Sequence, residues 1–236
     1  MSEDRSRLPQ LPTPSGAVIA SVEWLFEPAW RGERLMADVR DGSVRIFDSA
    51  GEPADAEFSE AADVLGSVVD ADQALIDGMW TAMPFLGAGS AARHLAEAIA
   101  EEGLSEDLPD PLEAEKRRAF VALDLVELDG HVLHDVPYLE RRRLLSSIVM
   151  EGAQVRVTPA VRNPIHNWLG AWRANGFSHY VAKHANSRYR PGEIAEDWLE
   201  IPTDEHRMPS TMGRLFGARP KKVSRIHDER SATPEA

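Results

Sequence analysis

Residues 179–202 read HYVAKHANSRYRPGEIAEDWLEIP, and this stretch sets the fold class. HYVAKH (179–184) and DWLEI (197–201) are short apolar-rich runs of strand length. The Arg- and Gly-containing segment between them reads as a loop, so the pair is two strands joined by a connection without a helix. The same pattern recurs upstream. AVIASVEWLFE, RLMADVR and SVRIFD are strand-like over Val18–Phe47, and the RDGS turn at 40–43 is a hairpin signal. ALIDGMWTAM (74–83), AFVALDLVELDG (119–130) and QVRVTPAV (154–161) read as further strands.

Helical spacing falls in four places. FSEAADVLGSVV (58–69) predicts a short helix, and SAARHLAEAIAEE (90–102) one that Ser90 caps, with Leu95 and Ile99 on its apolar face. PYLERRRLLSSIVMEG (137–152) starts on a proline and is expected to turn Leu139, Leu144 and Ile148 inward. NPIHNWLGAWRANG (163–176) is expected to be capped by Asn163 and closed by Gly176, with Trp168 and Trp172 in the core. Strands mixed with helices, without strict βαβ alternation, predict an α+β fold with two mainly antiparallel sheets and flanking helices. Residues 1–16 read as a flexible leader, 17–202 as one domain and 203–236 as a largely disordered polar tail with a basic segment at 214–225.

Composition narrows the chemistry. The chain of 236 residues has no cysteine, which excludes disulfides, a cysteine nucleophile and thiolate zinc ligation. AVIASV is too short for a signal-peptide core or membrane span, so a cytoplasmic protein without membrane contact is the expectation. The net charge of −13 weakens, without removing, an expectation of DNA binding. The chain has four lysines, Lys116, Lys183, Lys221 and Lys222, and none lies in the first 115 residues. HVLHD carries His131, His134 and Asp135, but no third or fourth partner is evident, so it reads as a polar turn and no metal site is expected.

EPAWRGER (27–34) gives the chain its resemblance. With LIDGM, LDLVELDG, PYLERRRLL, SHYVAK and SRYRPGEIAEDWLEIP in this order, it resembles the adenylation domain of ATP-dependent DNA ligases over roughly residues 20–202. The resemblance implies a ligase-type, ATP-grasp-like nucleotidyltransferase fold of the bacterial type. It also implies chemistry in which a lysine amine attacks the α-phosphate of ATP, with a divalent metal held by carboxylates. An OB-fold domain usually follows in that family, and none is expected here because the chain stops soon after DWLEIP.

Residue by residue, this sequence departs from the pattern where chemistry is done. Ala29 stands at the nucleophilic lysine and Arg31 at the motif's aspartate. Ser49 stands at an expected arginine, Met79 at the glutamate of the Asp-Gly-Glu motif, and Leu123 at the adenine-stacking aromatic. Ser178 stands at a metal-linked glutamate, while Glu200 and Pro202 replace two phosphate-contacting lysines. Asp77, Asp124, Arg34 and Lys183 match, as do Gly32, Gly78, Gly130, Pro137, Gly192 and Trp198. Glu27, Ala29, Arg31, Arg34, Asp77, Met79, Leu123, Asp124, Ser178, Lys183 and Glu200 are therefore the expected relict nucleotide cleft. Arg31, Arg34 and Lys183 could floor a phosphate site, but they are expected to pair with Glu27, Asp77, Asp124 or Glu200.

The expectation is a catalytically degenerate domain with no catalytic residue and no cofactor, ATP and Mg entering only through the resemblance. It would serve as a binding or regulatory module linked to DNA repair, for which a protein partner is conceivable. The alternatives are an active ligase or nucleotidyltransferase with a non-standard nucleophile, for which Lys183 is the core candidate besides Lys116, and a non-catalytic DNA-end binder.

Overall fold

The hairpin signal at Asp41-Gly42 is a good place to enter the computed structural model, which describes residues 5–82 and 118–204. Asp41 and Gly42 take φ of 49° and 77°, as a two-residue hairpin turn requires, and they join β3 (Glu33–Arg40) to β4 (Ser43–Phe47). β3 pairs on its other side with β5 (Gln73–Thr81), and β5 pairs with β6 (Ala119–Leu128), both antiparallel. The short β7 (His131–Val132) and the parallel β8 (Val155–Val157) both attach to β6 and complete a six-stranded sheet. A second sheet of four strands has the order β1-β10-β9-β2. Its members are β1 (Leu11–Pro14), β2 (Trp24–Pro28), β9 (His179–His184) and β10 (Ile194–Pro202).

Alternation along the strands distributes the core. Leu35, Ala37 and Val39 of β3 lie on one face of the six-stranded sheet with Leu65, Leu145 and Ile148 of the covering helices and with Phe58, which precedes the first of them. Those helices are α1 (Ser59–Gly66) and α2 (Tyr138–Ile148). Met36, Leu75 and Val126 instead pack with Tyr189, Ala195 and Trp198, beside the four-stranded sheet. A third cluster joins Val121 and Leu123 of β6 to Phe26, Tyr180, Ala182 and Ile201, and to Leu169 and Trp172 of α3 (His166–Ala174). The architecture is α+β, with two mainly antiparallel sheets as expected; the β1–β10 and β6–β8 pairs are parallel.

Several expectations need correction. The stretch expected as a leader carries one 3-10 turn (Arg5–Arg7) followed by β1, which pairs with β10 far along the chain, Leu11 opposite Ile194 and Pro14 opposite Glu200. Its anchor is Gln10, fully buried: its amide donates to Tyr189 Oη at 3.1 Å, its carbonyl accepts from Arg34 at 3.4 Å, and its side-chain oxygen accepts from the Arg190 amide. β2 begins only at Trp24, with Val18 and Val22 left exposed. The inner face of α2 is Tyr138, Arg141, Leu145 and Ile148, a spacing of three or four, so Leu139 points outward and is 44% exposed. Asn163 does not cap α3. Its side-chain amide donates to the carbonyls of Ile19 and Ser21, and Ile165 holds the cap position. Trp172 is buried, whereas Trp168 is 44% exposed. Thr203 is buried and bonded to Phe177 and Ser178, so the domain runs one residue past the expected boundary. The helix expected at 90–102 and the basic segment at 214–225 lie outside the described residues. No helix among the described residues is long and apolar enough to cross a membrane.

Candidate functional site

β5 and β6 bring Asp77 and Asp124 directly opposite each other, both fully buried. Like charges in that position repel, so each needs a cation. Asp77 receives both Nε and Nη2 of Arg34, at 2.6 and 2.7 Å, and the Tyr189 hydroxyl at 2.8 Å. Asp124 receives Nε and Nη2 of Arg141, at 2.8 and 2.7 Å, with both side chains at 0% exposure. Arg141 Nη1 also donates to the carbonyls of Val136 and Ser187. Burial works against the charge of Arg34 and Arg141, but the facing carboxylate outweighs it in each and holds the guanidinium above its ordinary pKa. Two planar forks thus occupy both carboxylates.

Lys183 occupies the facing sheet. Its ammonium lies 3.1 Å from Glu27 Oε2 and donates to the Leu123 carbonyl at 3.0 Å. It sits over the rings of Trp198 and Tyr138, at 4.2 and 4.7 Å from the centroids. Glu27, itself buried, also accepts the Tyr138 hydroxyl. Arg142 Nη1 approaches it to 3.7 Å, a charge contact too long for a hydrogen bond. Burial, then the charge of Glu27, raises the Tyr138 hydroxyl well above its ordinary pKa, so it remains a donor.

A hollow of about 180 Å³ lies among these groups. Its wall includes Glu27, Ala29, Arg34, Met79, Leu123, Lys183 and Glu200 from the expected cleft, joined by Pro12 of β1, Pro28, Trp30, Val181 and Trp198. Asp77 and Asp124 do not line it; they are buried behind it, spent on arginines. Arg31 and Ser178 meet each other instead, Arg31 Nη2 donating to Ser178 Oγ at 2.5 Å, and Ser178 Oγ lies 2.9 Å from His179 Nδ1. The pairing expected for Arg34 and Lys183 is present, with Asp77 and Glu27. Arg31 takes a hydroxyl rather than a carboxylate. Reasoning from sequence missed Arg141 as the partner of Asp124, although the RRR run at 141–143 was its signal. It also missed Tyr138 and Tyr189, although both lie in the quoted motifs PYLERRRLL and SRYRPG, and Pro12, which no motif marks. Among the described residues, no group of three His, Asp or Glu is placed to hold a metal ion, and His131 and His134 form no such group.

The family of ATP dependent DNA ligase domains matches residues 17–201. This chain belongs to that family. The ligase domain described here is 25% identical over 190 residues to the Mycobacterium tuberculosis protein named multifunctional non-homologous end joining DNA repair protein LigD. That match covers 80% of this chain and 22% of LigD. It is 26% identical over 196 residues to a DNA ligase of Methanothrix thermoacetophila, covering 77% of this chain and 32% of that one. Among solved structures, a mycobacterial DNA ligase D complexed with ATP and MES superposes with a TM-score of 0.63 at 24% identity. That superposition covers 85% of this chain and 61% of the solved chain. The likeness establishes the fold. The chain spans about a fifth to a third of the length of these curated relatives.

Proposed function

We propose that this ligase domain keeps the nucleotidyltransferase scaffold without adenylation chemistry and serves as a non-catalytic binding or regulatory module linked to DNA repair. The observation that carries this is Ala29 in the wall of the hollow while Lys183, the only lysine among the described residues, is held by Glu27, a carbonyl and two rings. Forming a lysyl-AMP requires an amine lone pair to attack the α-phosphorus as pyrophosphate leaves. The alanine methyl has no lone pair. The Lys183 ammonium is already engaged by Glu27, the Leu123 carbonyl and two rings, which argues against the alternative of a displaced nucleophile.

The remaining groups fit ATP and Mg poorly. Asp77 and Asp124 are taken up by arginines, so neither carboxylate is available for a cation. Glu200 puts a negative charge on the wall where a triphosphate would need a positive one. The hollow of about 180 Å³ is also below the roughly 300–1,000 Å³ usual for small-molecule sites. The link to DNA repair rests on what the relatives are named. Direct DNA contact is the weaker alternative, since a net charge of −13 opposes extended phosphate binding.

Calorimetric titration of the full chain with ATP and Mg²⁺ tests the nucleotide part. No saturable heat is expected up to millimolar ATP. Saturable binding at micromolar ATP would contradict the proposal.

A further inference from the structure

We infer that residues 7–16 form a strap that gates the hollow beside Ala29, closed by contacts to both sheets and released as a unit when those contacts part. On the six-stranded sheet, Arg7 Nη2 reaches Asp38 at 3.4 Å, and its guanidinium carbon lies 4.3 Å from the centre of the Phe47 ring. The Gln10 carbonyl accepts from Arg34 of β3. On the other side, the amides of Leu11 and Ser15 donate to the carbonyls of Glu193 and Glu200 at 3.0 and 2.8 Å, and Thr13 Oγ1 donates to the Ala195 carbonyl at 2.8 Å. Leu8 is the clasp where the two sides meet. Its methyl carbons lie where a Cβ added to Gly51, after β4, or to Gly192, before β10, would come within 3.2 or 2.8 Å. Both glycines thus leave room for this one side chain.

The same segment walls two cavities. Pro12 lines the hollow of about 180 Å³, Pro14, Ser15 and Gly16 line a wider depression of about 510 Å³, and Glu200 is common to both. Lifting the strap joins the two along β10 and uncovers the wall that holds Ala29. The grip on β10 is light. Pro9, Pro12 and Pro14 have no N–H to donate, and the register of the pair slips between Pro12 and Thr13. Leu11 and its partner Ile194 are both exposed, so they bury little apolar surface. Gln10 is fully buried, yet its Nε2 has no acceptor among the described residues. That unmet donor costs the closed state free energy, and opening into water relieves it. A segment with few backbone bonds and little buried apolar surface opens well below the free energy of global unfolding. Access to the wall around Ala29 therefore follows the opening of the strap.

The chain has no cysteine, so introduced thiols report without background. Ala29→Cys places a thiol in the wall of the hollow. Leu11→Cys/Ile194→Cys, at paired and exposed positions of β1 and β10, allows a disulfide that locks the strap. In the full chain carrying all these substitutions, alkylation of position 29 by N-ethylmaleimide is followed by peptide mass spectrometry, with the lock oxidised and with it reduced and desalted. Oxidation is expected to slow alkylation about tenfold or more, because the rate tracks the population of the open strap. With Ala29→Cys and no lock, Leu8→Ala empties the clasp and should speed alkylation severalfold. A thiol placed by Ala122→Cys in the core should stay unreactive beside it. Equal rates with the lock oxidised and reduced overturn the inference. So does a Leu8→Ala effect of equal size at position 122, since the opening is then global and not the strap's. The readout involves no nucleotide, so its failure leaves the proposed loss of adenylation standing, and a covalent adenylate leaves the strap standing.

Discussion

Arg141→Leu should lower the unfolding free energy by about 3–5 kcal/mol, the usual cost of leaving a buried charge without its partner. Arg141 and Asp124 are both fully buried and joined by two hydrogen bonds of 2.7 and 2.8 Å. Removing the guanidinium leaves Asp124 facing Asp77 across the β5–β6 ladder, with the Leu125 amide as its remaining hydrogen-bond donor among the described residues. It also frees the carbonyls of Val136 and Ser187, each of which loses its Arg141 donor. Urea denaturation measures the loss. The double variant Arg141→Leu/Asp124→Leu should recover part of it, because no charge is then stranded; the Val136 carbonyl has lost its Arg141 donor, while that of Ser187 keeps the Tyr138 amide, so recovery stays incomplete. A single variant as stable as the parent would show that the pair does not hold α2 to β6. The functional corollary is that Asp124 is a structural carboxylate in this chain.

Gly32→Ala is the second large effect, at about 3 kcal/mol or more. Gly32 has φ of +146°, a conformation that residues with a Cβ rarely adopt. A Cβ there would lie 2.1 Å from the Trp80 carbonyl oxygen and 3.1 Å from Thr81 Cα, both backbone atoms that cannot turn aside. Backbone strain costs about 1–3 kcal/mol, and overpacking adds a further cost of about 1–3 kcal/mol. In a domain of this size about 3 kcal/mol corresponds to a fall in Tm of roughly 6–12 °C. A Tm within a degree of the parent would contradict the close approach of the loop to β5. Gly32 and Arg34 thus have packing roles, against β5 and Asp77, while the Ala29 methyl carries no lone pair.

How much of this was legible in the sequence depended on range. The β3–β4 hairpin was readable because Asp41-Gly42 carries a local turn signal, and β5, β6, β9 and β10 because apolar runs mark buried strands. β1 was not readable. Its two prolines and polar neighbours look like a leader, and its pairing with β10 spans nearly the whole domain. Arg141 escaped for the opposite reason, since apolar periodicity sends a charged helix residue outward, whereas here the unpaired Asp124 draws it in. For the site, the ordered motifs located Ala29, Met79, Leu123 and Glu200 in one wall. Which charges paired depended on strand register, and no motif carries that.

The most direct test of the account is covalent adenylation. The full chain is incubated with radiolabelled ATP and either Mg²⁺ or Mn²⁺, denatured, and examined for label bound to protein, for the wild type and for Ala29→Lys. No labelled band is expected from either. Ala29→Lys returns an amine but leaves Met79, Leu123, Ser178, Glu200 and Pro202 at the positions where the proposed reading, through the resemblance to ligases, expects groups for adenine, metal and phosphate. A labelled band from the wild type, mapped to any lysine, would contradict the central claim. A band from Ala29→Lys alone would show that the remainder of the site is still competent.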